Sequence, residues 1–309
     1  MSDVTSGLAI ETRELKRRFG NFEALRGVDL KVPAGSTFGF VGPNGAGKTT
    51  TFSILCGFLN ATSGTALVLG HDAHDRAALA GKVGALPQDA PLPRTTARAA
   101  LRYWGELSGF SPADANSAAL AALEMVGLSS AADRRASDFS HGMSKRVAIA
   151  QAFLGAPQVV LLDEPTSGLD PKAAFEVKQI IRSRAGTMTI IISSHDLSQI
   201  EELCDSVAII DRGRVVQQGN IGELTGRGER IRISLADASA PRALEALAKL
   251  DCASDVAFDP QTRTIEVRVK GQPAEDAIPR ILRATLDAGG RVLAVSRGQK
   301  LEERVIELT

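Results

Sequence analysis

Residues 42–49 combine glycines, a lysine and a threonine in an order that suits phosphate binding. The segment reads Gly-Pro-Asn-Gly-Ala-Gly-Lys-Thr, follows an apolar strand and opens a helical stretch, which fits the pattern G-x-x-x-x-G-K-[ST]. Glycines let several backbone N–H groups point at one phosphate cluster, and the following helix adds its positive end. Lys48 would reach the β- and γ-phosphates, and the Thr49 hydroxyl could ligate Mg²⁺. The candidate phosphate-binding residues are Gly42, Pro43, Asn44, Gly45, Ala46, Gly47, Lys48, Thr49 and Thr50.

Two adjacent carboxylates follow a second apolar run. Residues 159–162 are Val-Val-Leu-Leu, and Asp163 and Glu164 come directly after them. At the end of a buried strand, Asp163 could hold Mg²⁺ and Glu164 could orient and polarise an attacking water. A strand that ends in a solvated acidic turn would explain either residue singly. A phosphate loop alone does not separate kinases, GTPases and ATPases, but its combination with this carboxylate pair favours the metal and base interpretation.

Alternating strands and helices are predicted to position these residues. The runs 159–163 and 189–193 are almost continuously apolar, as expected of central strands that are covered on both faces. The alternation predicts an α/β domain with a largely parallel core sheet, preceded by short antiparallel strands. The other predicted strands are 8–12, 24–32, 37–41, 65–69 and 83–87, and the predicted helices are 94–107, 113–126, 144–154 and 171–184.

A different pattern begins near residue 225. Residues 225–229 are polar and contain glycine, which predicts a linker. The elements that follow have the order βαββαβ, which predicts a small ferredoxin-like α+β domain over residues 225–309, after a first domain over residues 1–224. The predicted strands here are 231–235, 254–258, 264–269 and 291–295, and the predicted helices are 241–250, 274–286 and 301–308.

Length and composition agree with a two-domain protein. The chain has 309 residues, with 36 basic and 36 acidic side chains, and zero net charge argues against nucleic acid as a partner. The sequence contains no run of roughly 18 apolar residues and no secretory signal at its start. The three cysteines are scattered, which favours small apolar residues in a reducing compartment over a disulfide or zinc framework. These features predict a soluble, cytosolic protein.

Further motifs resemble those of the nucleotide-binding subunit of an ABC transporter. Residues 139–146, Phe-Ser-His-Gly-Met-Ser-Lys-Arg, look like a variant of the family signature Leu-Ser-Gly-Gly-Gln. Gln88 matches the Q-loop glutamine, residues 165–170 match the D-loop that ends in Asp170, and His195 matches the switch histidine. The resemblance covers roughly the first 225 residues, and it implies the P-loop ABC ATPase fold with its helical subdomain.

The resemblance also implies roles for these residues. Ser140 and Gly142 would contact the γ-phosphate of ATP held by a second protomer, and Asp170 would belong to the same nucleotide-binding set. Gln88 would complete Mg²⁺ coordination. His195 would bond the γ-phosphate and support the water beside Glu164, so that the catalytic residues are Glu164, His195 and Lys48, and the metal ligands are Thr49, Gln88 and Asp163.

Three positions depart from the usual family residues. His141 and Met143 replace the first glycine and the glutamine of the signature. Phe19 takes the place of the aromatic residue, often tyrosine, that stacks on adenine, and its ring keeps the π-face that stacking needs. A buried core phenylalanine is the alternative interpretation of Phe19.

The implied assembly has two ATP-binding protomers, expected as a homodimer, and a separate polytopic membrane permease. The protein would then be peripheral on the inner face of the cell membrane. The variant signature, and an extension that ends in Leu-Glu-Glu-Arg-Val-Ile-Glu-Leu-Thr, resemble the drug-resistance and lipid or polysaccharide exporter ATPases. The extension is interpreted as a regulatory or dimer-supporting domain, with a stabilising appendage as the alternative.

Two other functions compete with an exporter ATPase. A soluble ABC ATPase that acts on the ribosome or DNA usually has tandem units or a long insertion between phosphate loop and signature, and this sequence has neither. A non-enzymatic module in which ATP only regulates assembly would not need Lys48, Asp163, Glu164 and His195 together.

Overall fold

The computed structural model describes residues 7–88, 91–226, 229–236 and 240–309. The chain forms two compact units, Met1–Gln218 and Gly219–Thr309. The predicted division at 224/225 therefore lies six residues after the division seen in the contacts, because the short helix Ile221–Leu224 packs against the C-terminal helix Leu301–Leu308. Arg227 and Gly228 of the predicted linker lie outside the described residues.

The first unit contains two sheets and the helices around them. Its strands are β1 (Leu8–Phe19), β2 (Phe22–Pro33), β3 (Thr37–Val41), β4 (Ser63–Val68), β5 (His71–Asp72), β6 (Val83–Leu86), β7 (Val159–Asp163), β8 (Thr189–Ser194), β9 (Ser206–Asp211) and β10 (Arg214–Asn220), the last of which crosses the boundary of the unit. Its helices are α1 (Lys48–Leu55), α2 (Arg76–Leu79), α3 (Ala97–Leu107), α4 (Pro112–Met125), α5 (His141–Ala152), α6 (Pro171–Arg184) and α7 (Leu197–Leu203).

The core sheet positions the candidate site. Its strand order is β10-β9-β3-β8-β7-β6, and the pairs β9–β3, β3–β8, β8–β7 and β7–β6 are parallel. Every residue of β3, β7 and β8 is buried, which explains why these strands have almost continuous apolar runs. The carboxyl ends of β3, β7 and β8 meet at one edge, the usual place for a ligand in a sheet of this kind. The α/β prediction is thus confirmed.

The antiparallel sheet at the start of the chain has the order β2-β1-β4-β5. Strand β1 extends seven residues beyond the predicted span 8–12, whereas β2 begins two residues before and ends one residue after the predicted span 24–32. Charged residues hid the end of β1 from the sequence interpretation, because Lys16 and Arg17 are only partly buried and Arg18 is exposed, so no apolar alternation marks this part of the strand. Leu15, Leu25 and other residues of this sheet share one buried cluster with Phe38 and Phe40 of β3.

The second unit is a four-stranded antiparallel sheet with helices. Its elements are α8 (Ile221–Leu224), β11 (Arg230–Leu235), α9 (Ala240–Ala248), β12 (Ala253–Asp259), β13 (Thr264–Val269), α10 (Ala274–Asp287), β14 (Val292–Arg297) and α11 (Leu301–Leu308). The strand order β12-β13-β11-β14 places the first strand in the middle beside the last, which is the ferredoxin-like arrangement that the order βαββαβ predicts. Along β11, Ile231, Ile233 and Leu235 are buried and alternate with half-exposed residues.

A glycine in β6 tests the packing beside the core sheet. A Cβ atom on Gly84 would lie 1.7 Å from the carbonyl oxygen of Ala152 at the end of α5. The oxygen belongs to the backbone and cannot rotate away as a side chain can. Gly84→Ala should therefore lower the free energy of unfolding by about 1–3 kcal/mol or more, which urea denaturation would measure. Gly7→Ala is the matched control, since no atom lies within 4 Å of its Cβ position. Equal stability of the two variants would contradict the packing described.

Candidate functional site

A cleft of about 580 Å³ opens at the carboxyl edge of the core sheet. The cleft brings together residues from the phosphate loop, the ends of β7 and β8, and strands β1 and β2. Most of the predicted site residues line it. They are Phe19, Asn44, Gly45, Gly47, Lys48, Thr49, Thr50, Gln88, Asp163, Glu164 and His195. Phe22 and Ala24, which the sequence interpretation did not include, also line the cleft, as does Ser167 of the predicted D-loop.

The phosphate loop connects β3 to α1. Gly47 has φ of 110°, a conformation that residues with a side chain rarely adopt, and it immediately precedes the first residue of α1. This turn directs the N-terminus of α1 into the cleft, where free N–H groups and the helix dipole favour anions. Gly42, Pro43 and Ala46 do not line the cleft themselves, but they belong to the loop that shapes it.

Lys48 is the buried cation of the cleft. Its Nζ donates hydrogen bonds to the carbonyl oxygens of Gly42 at 2.6 Å and Pro43 at 3.1 Å. Burial lowers the pKa of the Lys48 ammonium, and the charges of Glu164 and Asp163 oppose that shift. The ammonium is therefore held over its own loop and beside two carboxylates.

Asp163 and Glu164 end β7 at the bottom of the cleft, with 2% and 7% of their surfaces exposed. The hydroxyl of Ser193 in β8 donates a hydrogen bond to Oδ1 of Asp163. Glu164 has φ of 48°, and its N–H donates to the carbonyl oxygen of Ser193 at 3.2 Å and to Ser193 Oγ at 3.1 Å. Ser193 could not be found from the sequence, because its role depends on the register of β7 against β8.

His195 and Glu164 form one hydrogen-bonded unit. Nδ1 of His195 lies 2.9 Å from both Oε1 and Oε2 of Glu164, and the His195 N–H donates to Oε1 at 3.1 Å. The imidazole is 60% exposed, whereas the carboxylate is 9% exposed. The exposed histidine thus holds a largely buried carboxylate, and both side chains line the cleft.

Two aromatic rings stand at the outer end of the cleft. Phe19 is 44% exposed and Phe22 is 62% exposed, so the core interpretation of Phe19 does not describe its surroundings. The guanidinium carbon of Arg17 lies 4.5 Å from the centre of the Phe19 ring, and Arg17 Nη1 donates to the carbonyl oxygen of Asn60 at 3.0 Å. Both rings offer surface against which a planar base could stack.

Outside the phosphate loop, three predicted nucleotide-binding residues do not line this cleft. Ser140 caps the N-terminus of α5 by accepting a hydrogen bond from the Met143 N–H at 3.2 Å, and Gly142 lies in the first turn of that helix. Asp170 caps α6 by accepting from the N–H groups of Lys172 and Ala173. The predicted start of α5 at 144 was three residues too late, because Ser140 is its cap.

The sequence profile of the ABC transporter family matches residues 25–167. The daunorubicin resistance ATP-binding protein of Streptomyces coeruleorubidus is 33% identical over 307 residues, which are 97% of this chain and 96% of the relative. The chain belongs to the ABC transporter family. It is an ATP-binding and ATP-hydrolysing subunit in which hydrolysis is coupled to transport.

Two further comparisons agree with membership of the ABC family. The Nod factor export ATP-binding protein I of Burkholderia lata is 37% identical over 213 residues, covering 68% of this chain and 70% of the relative. The structure of cbiO1 from Clostridium perfringens, part of the ABC transporter complex cbiONQ, has a TM-score of 0.62 at 28% identity and covers 71% of this chain and 91% of that one. Among the residues described here, this ABC subunit has no helix both long and apolar enough to cross a membrane.

Cys56 follows α1 at the end opposite to the phosphate loop. All three cysteines are free thiols, and Cys204 and Cys252 are buried, in agreement with their interpretation as small apolar residues. Burial, with a smaller contribution from the charge of Asp163, raises the pKa of the Cys56 thiol to about 12.

The raised pKa predicts a slow reaction of Cys56 with alkylating reagents. Since only the thiolate attacks, iodoacetamide at pH 8 should label Cys56 on the order of 10³-fold more slowly in the folded chain than in urea, as peptide mass spectrometry would show. Equal rates in the two states would contradict the raised pKa of this half-buried thiol.

Proposed function

We propose that this chain is the ATPase subunit of an exporter and drives a separate polytopic permease from the inner face of the membrane. The observation that supports this proposal is the match to a resistance protein along almost the whole chain, including the second unit, Gly219–Thr309, which we call the accessory unit. A second relative is named for export, and outward movement of a molecule is what resistance and export have in common. The accessory unit is proposed to support dimerisation or regulation.

The first step of the proposed mechanism is binding of the ATP phosphates. The N–H groups of residues 42–50 and the N-terminus of α1 would surround the phosphates, and Lys48 would exchange its bonds to Gly42 and Pro43 for phosphate oxygens. Phe19, backed by Arg17, would stack on adenine, with Phe22 beside it.

The charges and donors of the cleft fit Mg²⁺. Two buried carboxylates face one ammonium, which leaves an excess of negative charge at the bottom of the cleft. Asp163, Thr49 and Gln88 line that same cleft and carry oxygen donors, the ligands that Mg²⁺ prefers. Within the described ranges no cluster of three or more His, Cys, Asp or Glu side chains forms a metal site by itself, so Mg²⁺ would depend on Thr49, Gln88 and the ATP phosphates as well as on Asp163. When bound with ATP, Mg²⁺ would neutralise charge that develops on the phosphates.

Glu164 is proposed to polarise the attacking water. Its carboxylate is held by the backbone N–H and by Nδ1 of His195. Its backbone N–H is held by Ser193. The exposed edge of the imidazole would support the γ-phosphate and the water.

The positions of Ser140, Gly142 and Asp170 support a dimer. These residues sit at the N-termini of α5 and α6 and are outside the cleft that the same chain offers to ATP. Free N–H groups at a helix start suit a phosphate, so we assign Ser140 and Gly142 to the ATP held by a second copy. ATP would then favour the closed homodimer because it makes contacts that are absent from the open one.

Replacement of Glu164 by glutamine tests the catalytic assignment. Glu164→Gln keeps the shape of the side chain but removes the base, so phosphate release should fall by about 10²–10⁴-fold while ATP is retained. Size-exclusion chromatography with ATP should show a persistent dimer. Glu245→Gln, at an exposed position of the accessory unit, should match the unchanged protein. Normal hydrolysis by Glu164→Gln would refute the role of Glu164.

A second groove in the first unit supports the permease assignment. The groove has a volume of about 510 Å³ and is lined mainly by apolar residues of α1, α2, α3 and the segments next to Gln88, together with Arg76, Ser108 and Gln151. Phe58 and Leu107 are 66% and 67% exposed at this groove, and Tyr103 of α3 is 56% exposed. Exposed apolar side chains around one concavity are typical of a protein-binding surface. We propose that a segment of the permease occupies it.

Leu107→Glu tests this surface. The charge should abolish co-purification of the permease from detergent, because burying an unpaired carboxylate is costly, while ATP hydrolysis by the isolated subunit stays unchanged. Leu293→Glu is the matched control, since Leu293 is 70% exposed in the accessory unit. Retention of the permease by Leu107→Glu would contradict the docking site, and salt-sensitive binding of nucleic acid would favour the alternative class of ABC ATPase.

A further inference from the structure

Ser193 occupies a buried position between the two strands that carry the site. It lies in β8 with none of its surface exposed. Across the ladder it is paired with Asp163 of β7 on one side and with Phe40 of β3 on the other. Its side chain therefore belongs to the layer in which the phosphate loop and the two carboxylates meet.

The Ser193 hydroxyl bridges both acidic residues at once. Oγ donates to Oδ1 of Asp163 and accepts from the N–H of Glu164 at 3.1 Å. A serine hydroxyl has one proton and two lone pairs, so it can make both bonds together. One oxygen atom thus fixes the direction of the Asp163 carboxylate and the position of the Glu164 peptide.

The backbone of Glu164 needs such support. With φ of 48°, Glu164 is in the left-handed region, where a residue other than glycine persists only when its surroundings hold it. Its N–H is held by two acceptors, the carbonyl oxygen and the hydroxyl of Ser193. This conformation places the carboxylate against Nδ1 of His195.

We propose that Ser193 is a positioning residue for ATP hydrolysis, which orients Asp163 toward the metal and Glu164 toward the attacking water. The inference rests on the functions proposed for Asp163 and Glu164. Hydrogen-bond partners of metal-ligating groups commonly change metal affinity or activity by about 10–100-fold when they are removed. A hydroxyl that serves only the fold would affect stability alone.

The test compares Ser193→Ala with Thr12→Val. Thr12 is 1% exposed and makes the same kind of bridge in the antiparallel sheet, donating to the carbonyl oxygen of Val28 at 2.7 Å and accepting from the Leu30 N–H at 3.0 Å. Both variants should lose thermal stability. For each, calorimetry would measure the affinity for a non-hydrolysable ATP analogue with Mg²⁺ and with EDTA, and phosphate release would give kcat.

Mg²⁺ should raise the affinity for the ATP analogue in the unchanged protein. Of the two variants, only Ser193→Ala should show a reduction of this Mg²⁺-dependent gain, by about 10–100-fold, together with a similar fall in kcat. Affinity in EDTA should stay unchanged, because the phosphate loop is intact. Ser193→Thr keeps the hydroxyl and should restore most of the Mg²⁺-dependent affinity and of kcat. The same variant tests the inference if Ser193→Ala does not fold. Unchanged Mg²⁺ dependence and kcat in folded Ser193→Ala would overturn the inference, as would a Ser193→Thr variant that folds but has lost both.

Failure of the proposed function gives a different result. If Glu164→Gln hydrolyses ATP normally, the role of Glu164 is wrong and the inference about Ser193 falls with it. If Glu164→Gln is inactive and folded Ser193→Ala equals the unchanged protein, only the role of Ser193 is refuted.

Discussion

The cost of holding charge away from water determines the arrangement of the site. Lys48, Asp163 and Glu164 are each less than 10% exposed, and a buried charge is unfavourable unless it is paired and hydrogen-bonded. The Lys48 ammonium donates to two loop carbonyl oxygens, and Asp163 accepts a hydrogen bond from the hydroxyl of Ser193. The Glu164 carboxylate is hydrogen-bonded to His195. These partners come from different elements, so the site exists only when β3, β7 and β8 are in register and α1 starts where it does.

The same geometry connects the nucleotide cleft to the apolar groove. Helix α1 begins with Lys48 in the cleft, and its last residue, Leu55, lines the groove together with Cys56. Gln88 lines the cleft, whereas Pro87 beside it lines the groove. A packed helix transmits displacement because interiors are dense and have few voids. Helix α1 is therefore a direct structural connection between the cleft and the groove.

The features that the sequence predicted best are those whose cause is local. Strand β7 and helix α6 have the predicted bounds. The run of Val and Leu marks the extent of β7, and Asp170 followed by Pro171 marks the start of α6. The phosphate loop is equally local, since one short segment supplies the turn, the cation and the helix start. Strands β9 and β10 were missed, although the apolar residues of β9 are as buried as those of β7. The ladder that pairs β9 with β3 joins segments far apart in the chain.

The parts of the site that could not be predicted depend on pairing between strands. A serine two residues before a histidine has no special meaning until β8 lies beside β7 and Ser193 faces Asp163. Phe22 lies outside the predicted strands 8–12 and 24–32, and its position becomes clear only when the turn between β1 and β2 places it beside Phe19 at the mouth of the cleft. In both cases a shift of one residue would turn the side chain to the opposite face of the sheet. Function here thus depends on register as much as on residue type, and a change in core packing that moved β8 by one residue would remove the site without altering any residue that binds ATP.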